Sequence, residues 1–373
     1  MNKLKYLFLI LLFDFVISNI FFKNTSYWNI SEWEKKYWRI PSEIYHHGIM
    51  PNIDKIEKWG GQISKRVITN SIGFFDKENR TVLKQNPDKK RILLIGDSFI
   101  EGSGLDYKNT FAGLLDNHLG QDYEILNSAL GSYSPSIYFK KTQHYLNQGY
   151  KFDQALVFLD VSDVYDELFI KFDENGNILT YKETKKRGKL KQNFYSVGNF
   201  LRDNTISFRL LNVISDKTEL VKNYIKLKIK TSKELNKNFL DTSREEVMFY
   251  RMTHIDRGFW TYDLNKFSKI KDGLEQSEKY LGKLFELFKK NNISATLIVY
   301  PWPTQIVYGD NFHENYWRSF SKKNNIEFLS MYKYFKSKDN QKFIFNNFLY
   351  GDIHWNKNGT KIIFHNIIKN IDF

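Results

Sequence analysis

Apolar and polar positions divide the chain into three stretches. Tyr6 to Phe22 is almost wholly apolar, broken by Asp14, Ser18 and Asn19, behind a short basic start at Met1-Asn-Lys-Leu-Lys5. Residues 23–90 show no regular period and carry Trp28, Trp33 and Trp38, which predicts a stalk or a segment that wraps a domain. From residue 91 the pattern changes. Apolar runs at 91–96, 124–127, 154–159, 294–300 and 326–330 predict five buried strands. Helical spacing at 110–119, 134–147, 267–291, 313–324 and 359–371 predicts the helices between and after them. Alternation of this kind implies an α/β fold, a parallel sheet with helices on both faces.

The first stretch predicts a membrane segment. A central Asp costs about 2.5–3.5 kcal/mol on insertion, and each Leu, Ile, Phe or Val returns about 0.3–0.6. Thirteen such residues lie between Leu7 and Phe22, so insertion wins despite Asp14. The span is near the lower limit for crossing a bilayer, about 17–25 residues. No small-x-small cleavage site follows it. Residues 1–22 are therefore expected to be an uncleaved signal anchor, with a cytoplasmic N-terminus and the body exported into a bacterial cell envelope. Secretion after cleavage is the alternative. Lys3 and Lys5 precede the span, but Lys23, Lys35, Lys36 and Arg39 follow it, so the orientation rests on the shortness of the tail.

One region breaks the strand–helix rhythm. An insertion of about 167–262 separates the third and fourth strands. Residues 171–240 hold sixteen Lys or Arg against seven Asp or Glu, nine of the chain's fourteen net positive charges. Lys185-Lys-Arg187 and Lys226-Leu-Lys-Ile-Lys230 are its densest runs. Such charge reads as a solvated helical face, a cap over an anionic or polar substrate, or a surface facing anionic lipid. Nucleic acid is not an expected partner, because an exported body rarely meets it. Composition explains part of the charge: Lys, Asn, Ile, Phe and Tyr abound while Ala occurs four times, as A/T-biased coding would produce. There is no cysteine, hence no disulfide framework and no cysteine nucleophile.

Ligands of open parallel sheets bind beyond the carboxyl ends of the strands. The first predicted strand is followed by Gly96-Asp97-Ser98-Phe99, the second by Asn127 and Gly131, and the third by Asp160-Val-Ser162-Asp163. Pro301-Trp302-Pro303 follows the fourth, and Gly351-Asp352-Ile-His354-Trp355-Asn356 lies beyond the fifth. A serine hydroxyl is a weak nucleophile until a base accepts its proton. Ser98 is the candidate nucleophile, His354 the candidate base, and Asp352 the group that fixes its tautomer and stabilises the imidazolium. The backbone N–H groups of Ser98 and Gly131 are candidate oxyanion donors. Trp302 is a candidate platform for a sugar ring on the site rim. His46-His47 has no partner at metal spacing and reads as surface or hydrogen-bonded. No metal site, Walker loop or dinucleotide fingerprint is found, and no cofactor is expected.

Residues 91–373 resemble the SGNH/GDSL hydrolase superfamily. Gly96-Asp97-Ser98-Phe99-Ile-Glu-Gly102 is similar to its first block, Asn127 to Gly131 to its second, and Asp352-Ile-His354-Trp355 to its last. The short Asp-x-His-Trp form is similar to the SGNH-like domains of alginate O-acetylation proteins. Val67-Ile-Thr-Asn70-Ser-Ile-Gly73-Phe74 is similar to a segment preceding the Gly-Asp-Ser block in exported bacterial members. The resemblance implies a flavodoxin-like three-layer sandwich and a metal-free esterase, lipase, deacetylase or O-acyltransferase. The expected substrate is an acyl ester, an O-acetyl group of a cell-envelope glycan. A non-catalytic glycan-binding or assembly protein on the same scaffold is the alternative. The third block normally supplies an asparagine as third oxyanion donor; Ser162 stands there. Asn127, Trp302 and Trp355 are the candidate substrate contacts. Asp97 and Asp163 are expected to be structural acceptors.

Overall fold

The computed structural model describes residues 2–22, 38–59, 63–174, 176–179, 200–201, 204–262 and 269–373. Two compact units emerge. Met1–Lys36 groups with Lys185–Val247, and Tyr37–Thr184 with Met248–Phe373. The basic run 185–187, Trp28, Trp33 and Lys23, Lys35 and Lys36 lie outside the described residues.

In chain order the elements begin with α1 (Asn2–Ile17), whose last turn continues as a π-turn over Ser18–Phe22. Part of the stretch expected to be irregular is paired instead. β1 (Arg39–Ser42) and β2 (His46–Ile49) form one antiparallel hairpin, β3 (Asp54–Trp59) and β4 (Ile63–Ile68) another. Then come β5 (Lys90–Ile95), the single turn α2 (Ser98–Glu101), α3 (Phe111–Leu119), β6 (Tyr123–Asn127), α4 (Pro135–Asn147), β7 (Gln154–Leu159) and α5 (Asp163–Glu167). α6 (Ile206–Glu234), α7 (Arg244–Thr253) and α8 (Asp256–Phe259) follow. The chain closes with α9 (Ile270–Lys290), β8 (Ser294–Val299), α10 (Pro303–Tyr308), α11 (Phe312–Lys323), β9 (Glu327–Ser330), α12 (Asn340–Asn347) and α13 (Lys357–Asn370).

The five strands predicted from their apolar runs form one sheet in the order β6-β5-β7-β8-β9, every pair parallel. This 2-1-3-4-5 order is the flavodoxin-like arrangement, whose switch point lies where the first and third strands leave the sheet. The middle of each run is apolar because helices cover both faces. Every residue of β7 is buried. α4 packs against α9, and α3 against α13, giving the helical layers of the sandwich.

Close approach between layers needs glycine at a few places. Gly273 on α9 faces the Val164 carbonyl of α5, where a Cβ would sit 2.3 Å from the oxygen. Since overpacking costs about 1–3 kcal/mol, Gly273→Ala is expected to lower stability by about that amount, read as a fall in melting temperature.

In the other unit the charge inside the apolar N-terminal stretch has a specific use. Asp14 accepts from the backbone N–H of Ile206 at 3.0 Å and of Ser207 at 3.2 Å, the first N–H groups of α6. Ser18 Oγ accepts from Ile206 N–H as well, at 2.8 Å, and donates to Asp14. A carboxylate at a helix N-terminus satisfies orphan donors and complements the dipole. Many apolar side chains of α1 stay exposed, Phe8 at 65% and Phe13 at 67% among them. None of the described helices is long and apolar enough to cross a membrane.

Candidate active site

The turn after β5 presents Ser98. Gly96 makes the strand-to-helix turn possible, since a Cβ there would meet Ile100 Cγ1 at 2.9 Å and Phe158 Cβ at 3.3 Å. Asp97 caps α2 by accepting from Phe99 N–H at 3.0 Å. Ser98 is then the first helical residue, and its own N–H has no hydrogen-bond partner among the described residues. That N–H lies at a helix N-terminus, a natural place for a developing negative charge.

The segment before α13 brings the base. Leu349 N–H donates to the His354 carbonyl at 2.8 Å, and Asp352 N–H to the Leu349 carbonyl at 2.9 Å, closing a tight loop. Gly351 adopts φ +73° within it. Asp352 Oδ1 accepts from His354 N–H at 3.0 Å and lies 2.5 Å from His354 Nδ1. His354 Nε2 lies 2.8 Å from Ser98 Oγ. A carboxylate can only accept, so Nδ1 carries the proton and Nε2 is left to take one from the serine. Phe99 packs on the His354 ring, with centroids 4.8 Å apart. The residues proposed from sequence as nucleophile, base and orienting acid are thus within hydrogen-bond reach across 256 positions of chain.

The other expected contacts fall differently. Trp302 is 1% exposed, and its indole N–H donates to Asp160 Oδ2 at 2.6 Å, so it braces the third strand's end rather than offering a face to a sugar. Asn127 is buried; its amide donates to Ile100 O at 2.8 Å and its oxygen accepts from Ala129 N–H, which fixes the loop after β6. Trp355 is buried against Phe99 and Tyr300, with centroids at 4.8 and 4.6 Å. None of the three presents a free surface. Ser162 is buried as well. Its Oγ accepts from Arg257 Nη2 at 3.0 Å, and Arg257 also pairs with Asp166.

Behind Ser98 lie three buried carboxylates. One oxygen each of Asp97, Asp160 and Asp163 falls within 4.8 Å of the others, a spacing that could hold a cation. Their present partners are donors of the fold: Tyr138 O–H on Asp163 at 2.7 Å, and Ser162 N–H and the Trp302 indole on Asp160. Burial raises the pKa of each, and in Asp97 and Asp163 neighbouring acids raise it further. Asp97 Oδ2 also lies 2.9 Å from Ser98 Oγ. A neutral Asp97 can donate there and leave the serine proton to His354; an ionised one competes for it.

Gly131 sits beside the nucleophile: a Cβ on it would meet Ser98 Cβ at 3.5 Å. The N–H expected to face the oxyanion donates instead to Glu101 Oε2 at 2.7 Å. Glu101 is fully buried, which works to raise its pKa, but Arg39, Lys65 and the Gly131 N–H outweigh burial and bring it down to about 2. Arg39 Nη2 lies 2.6 Å from Oε1, and Lys65 Nζ 3.5 Å. The Gly131 carbonyl is held too, 3.0 Å from His47 Nε2. Burial pushes His47 down to about 3, so the ring is neutral with its proton on Nε2. Its Nδ1 must then accept from His46 Nδ1, 2.7 Å away. Sequence reading missed Glu101, Arg39 and His47 as site residues. Glu101 lay within the first block; nothing in the sequence ties Arg39 or His47 to it, because the β1–β2 hairpin meets the sheet only in three dimensions.

No family model matches the sequence, and no curated protein matches it. Solved structures similar to this chain include three bacterial proteins. An acetylxylan esterase from Geobacillus stearothermophilus is 12% identical, with a TM-score of 0.39, covering 78% of this chain and 97% of that one. A psychrotrophic esterase from Pseudoalteromonas is 12% identical at a TM-score of 0.38, covering 75% and 96%. A member of the lipolytic G-D-S-L family from Veillonella parvula is 10% identical at a TM-score of 0.37, covering 76% and 98%. The sheet order and the serine beyond β5 agree with the fold that the SGNH resemblance implies.

Proposed function

We propose that the chain is a serine hydrolase of the SGNH type that cleaves ester bonds through Ser98, His354 and Asp352. The observation that carries the reading is the unbroken relay from Ser98 Oγ to His354 Nε2 at 2.8 Å and from Nδ1 to Asp352 at 2.5 Å. Ser98 Oγ attacks the ester carbonyl carbon while its proton passes to His354 Nε2. The tetrahedral intermediate collapses as His354 returns that proton to the leaving alkoxide, which leaves an acyl group on Ser98. His354 Nε2 then takes a proton from water, or from a glycan hydroxyl, as that oxygen attacks the acyl carbon, and returns it to Ser98 Oγ as the acyl–serine bond breaks. The acyl ester is read as an O-acetyl group of a cell-envelope glycan, on the strength of the Asp352-Ile-His354-Trp355 block. Attachment to the inner membrane through residues 1–22, with the catalytic unit exported, belongs to the same reading. The exposed apolar side chains of α1 support it.

A fluorophosphonate probe tests the chemistry. The native protein is expected to be labelled on one residue and Ser98→Ala to lose the label. Equal labelling of both would remove Ser98 as nucleophile. A second reading, a non-catalytic glycan-binding protein, is favoured by the engagement of Gly131 N–H with Glu101 and of Ser162 Oγ with Arg257. It predicts no label on the native chain and glycan binding that survives Ser98→Ala.

A further inference from the structure

Resting on the serine-hydrolase reading, we propose that Glu101 gates the oxyanion site: its carboxylate occupies Gly131 N–H at rest and moves onto Arg39 Nε to admit the substrate carbonyl. An amide carries one proton, and Gly131's is given to Glu101 Oε2 at 2.7 Å. The same oxygen lies 3.3 Å from the Cβ position of Gly131, against 3.5 Å for Ser98 Cβ, so the carboxylate and the nucleophile share one small space. An oxyanion forming on an ester attacked by Ser98 would meet a fixed negative charge there. Like charges at a few ångströms oppose each other strongly in a water-poor site.

The neighbouring arginine supplies a second seat. Arg39 bonds Glu101 Oε1 through Nη2, at 2.6 Å, while its buried Nε has no partner among the described residues. A side-on carboxylate–guanidinium pair uses Nε and Nη2 together. A rotation of the Glu101 carboxylate that carries Oε2 from Gly131 to Nε would exchange one N–H donor for another and complete that bidentate pair. Lys65 lies 3.5 Å from Oε1 and is shared with the buried carboxylate of Glu57 at 3.4 Å. Arg39 arrives on β1, so the hairpin ahead of the catalytic sheet is part of the gate. Glu101 and Arg39 act through Gly131 and are positioning residues.

The test uses the full chain, p-nitrophenyl acetate and the fluorophosphonate probe, with melting temperature measured alongside. Glu101→Gln keeps the shape and the acceptor but removes the charge. It is expected to raise the second-order rate of phosphonylation, and kcat/KM for the acetate, by about tenfold or more, a fraction of the effect one nearby charge can exert. Arg39→Lys keeps a cation but removes the Nε seat; it is expected to lower kcat about tenfold with little change in KM. In the Glu101→Gln background that loss should vanish. A well-folded Glu101→Gln that reacts no faster than the native protein overturns the gate while leaving the hydrolase reading intact. If Glu101→Gln does not fold, Arg39→Lys decides: an unchanged kcat overturns the proposal. Failure of native and Glu101→Gln proteins alike to be labelled overturns the hydrolase reading itself, and the gate with it.

Discussion

His354→Ala is expected to lower turnover of an activated acetate ester by about 10⁴-fold or more, with KM little changed, because a triad acts as a unit and loss of its base removes most of its contribution. The geometry requires it. His354 Nε2 is 2.8 Å from Ser98 Oγ, and the other oxygen near that hydroxyl, Asp97 Oδ2, belongs to a buried acid whose pKa is raised. Asp352→Ala should cost less than His354→Ala. The imidazole keeps Phe99 against its face but loses the acceptor that holds the proton on Nδ1. Steady-state rates of the two variants with p-nitrophenyl acetate check the order. Equal rates for His354→Ala and the native protein would exclude His354 as the base.

Lys141→Met is expected to abolish a rise in folding stability between about pH 7 and pH 10, the range set by the lowered folded value and the ordinary lysine value near 10.4. The Lys141 ammonium is buried, and burial lowers its pKa to about 7 against a smaller opposing pull from Glu101. Between the two values the unfolded chain holds one proton more than the folded chain, so stability rises with pH by about 1.4 kcal/mol per unit. Below about pH 7 both states are protonated and the cost is fully present; above the unfolded value it is gone. The ammonium donates to Ser128 O at 2.8 Å and to Tyr133 O–H at 3.0 Å, with the rings of Tyr45, Phe74 and Tyr133 around it. Methionine removes the titration but strands those two acceptors, at about 1–3 kcal/mol for buried polar groups. Urea unfolding of both proteins at pH 7, 8 and 9 should give a difference that grows with pH in favour of the native chain. A flat difference would show that Lys141 titrates as a solvated lysine.

Lys141 supports the loop that carries Gly131 beside the nucleophile. Lys141 holds Ser128, the Tyr133 hydroxyl donates to His47 O at 2.7 Å, and His47 holds Gly131 O. Residues on α4, the loop after β6 and the β1–β2 hairpin therefore fix one glycine beside the nucleophile.

Apolar runs at 91–96, 124–127, 154–159, 294–300 and 326–330 each became a strand within a residue or two, because a strand covered on both faces is read as a run rather than an alternation of apolar residues. The candidate residues were legible for a related reason. Chemistry on a parallel sheet gathers at strand ends, so Ser98 and the Asp352-Ile-His354 turn could be matched by their places in the order of elements. Trp302 shows where such reading fails. Its position after β8 was right for a site rim, but its environment is Asp160 and a buried wall, and burial is a property of neighbours rather than of spacing. Asp14 is a similar case: read along the chain it is a cost to membrane insertion, whereas in the fold it caps a helix nearly two hundred residues away. Of the positive charge concentrated in residues 171–240, the run at 226–230 lies on α6 with Lys226 and Lys230 exposed, and the run at 185–187 lies outside the described residues.

The sequence by itself determined the parallel sheet and set Ser98 and the Asp352–His354 pair beyond its strands, because periodicity and strand-end position are local properties of the chain. Only the tertiary structure decided how Gly131 is used. The carboxylate on its N–H, the imidazole on its carbonyl and the guanidinium behind them come from α2 and β1–β2, elements that no local pattern joins. Contacts between distant segments follow from the packing of the whole sandwich, and that packing is fixed only when all its layers are in place.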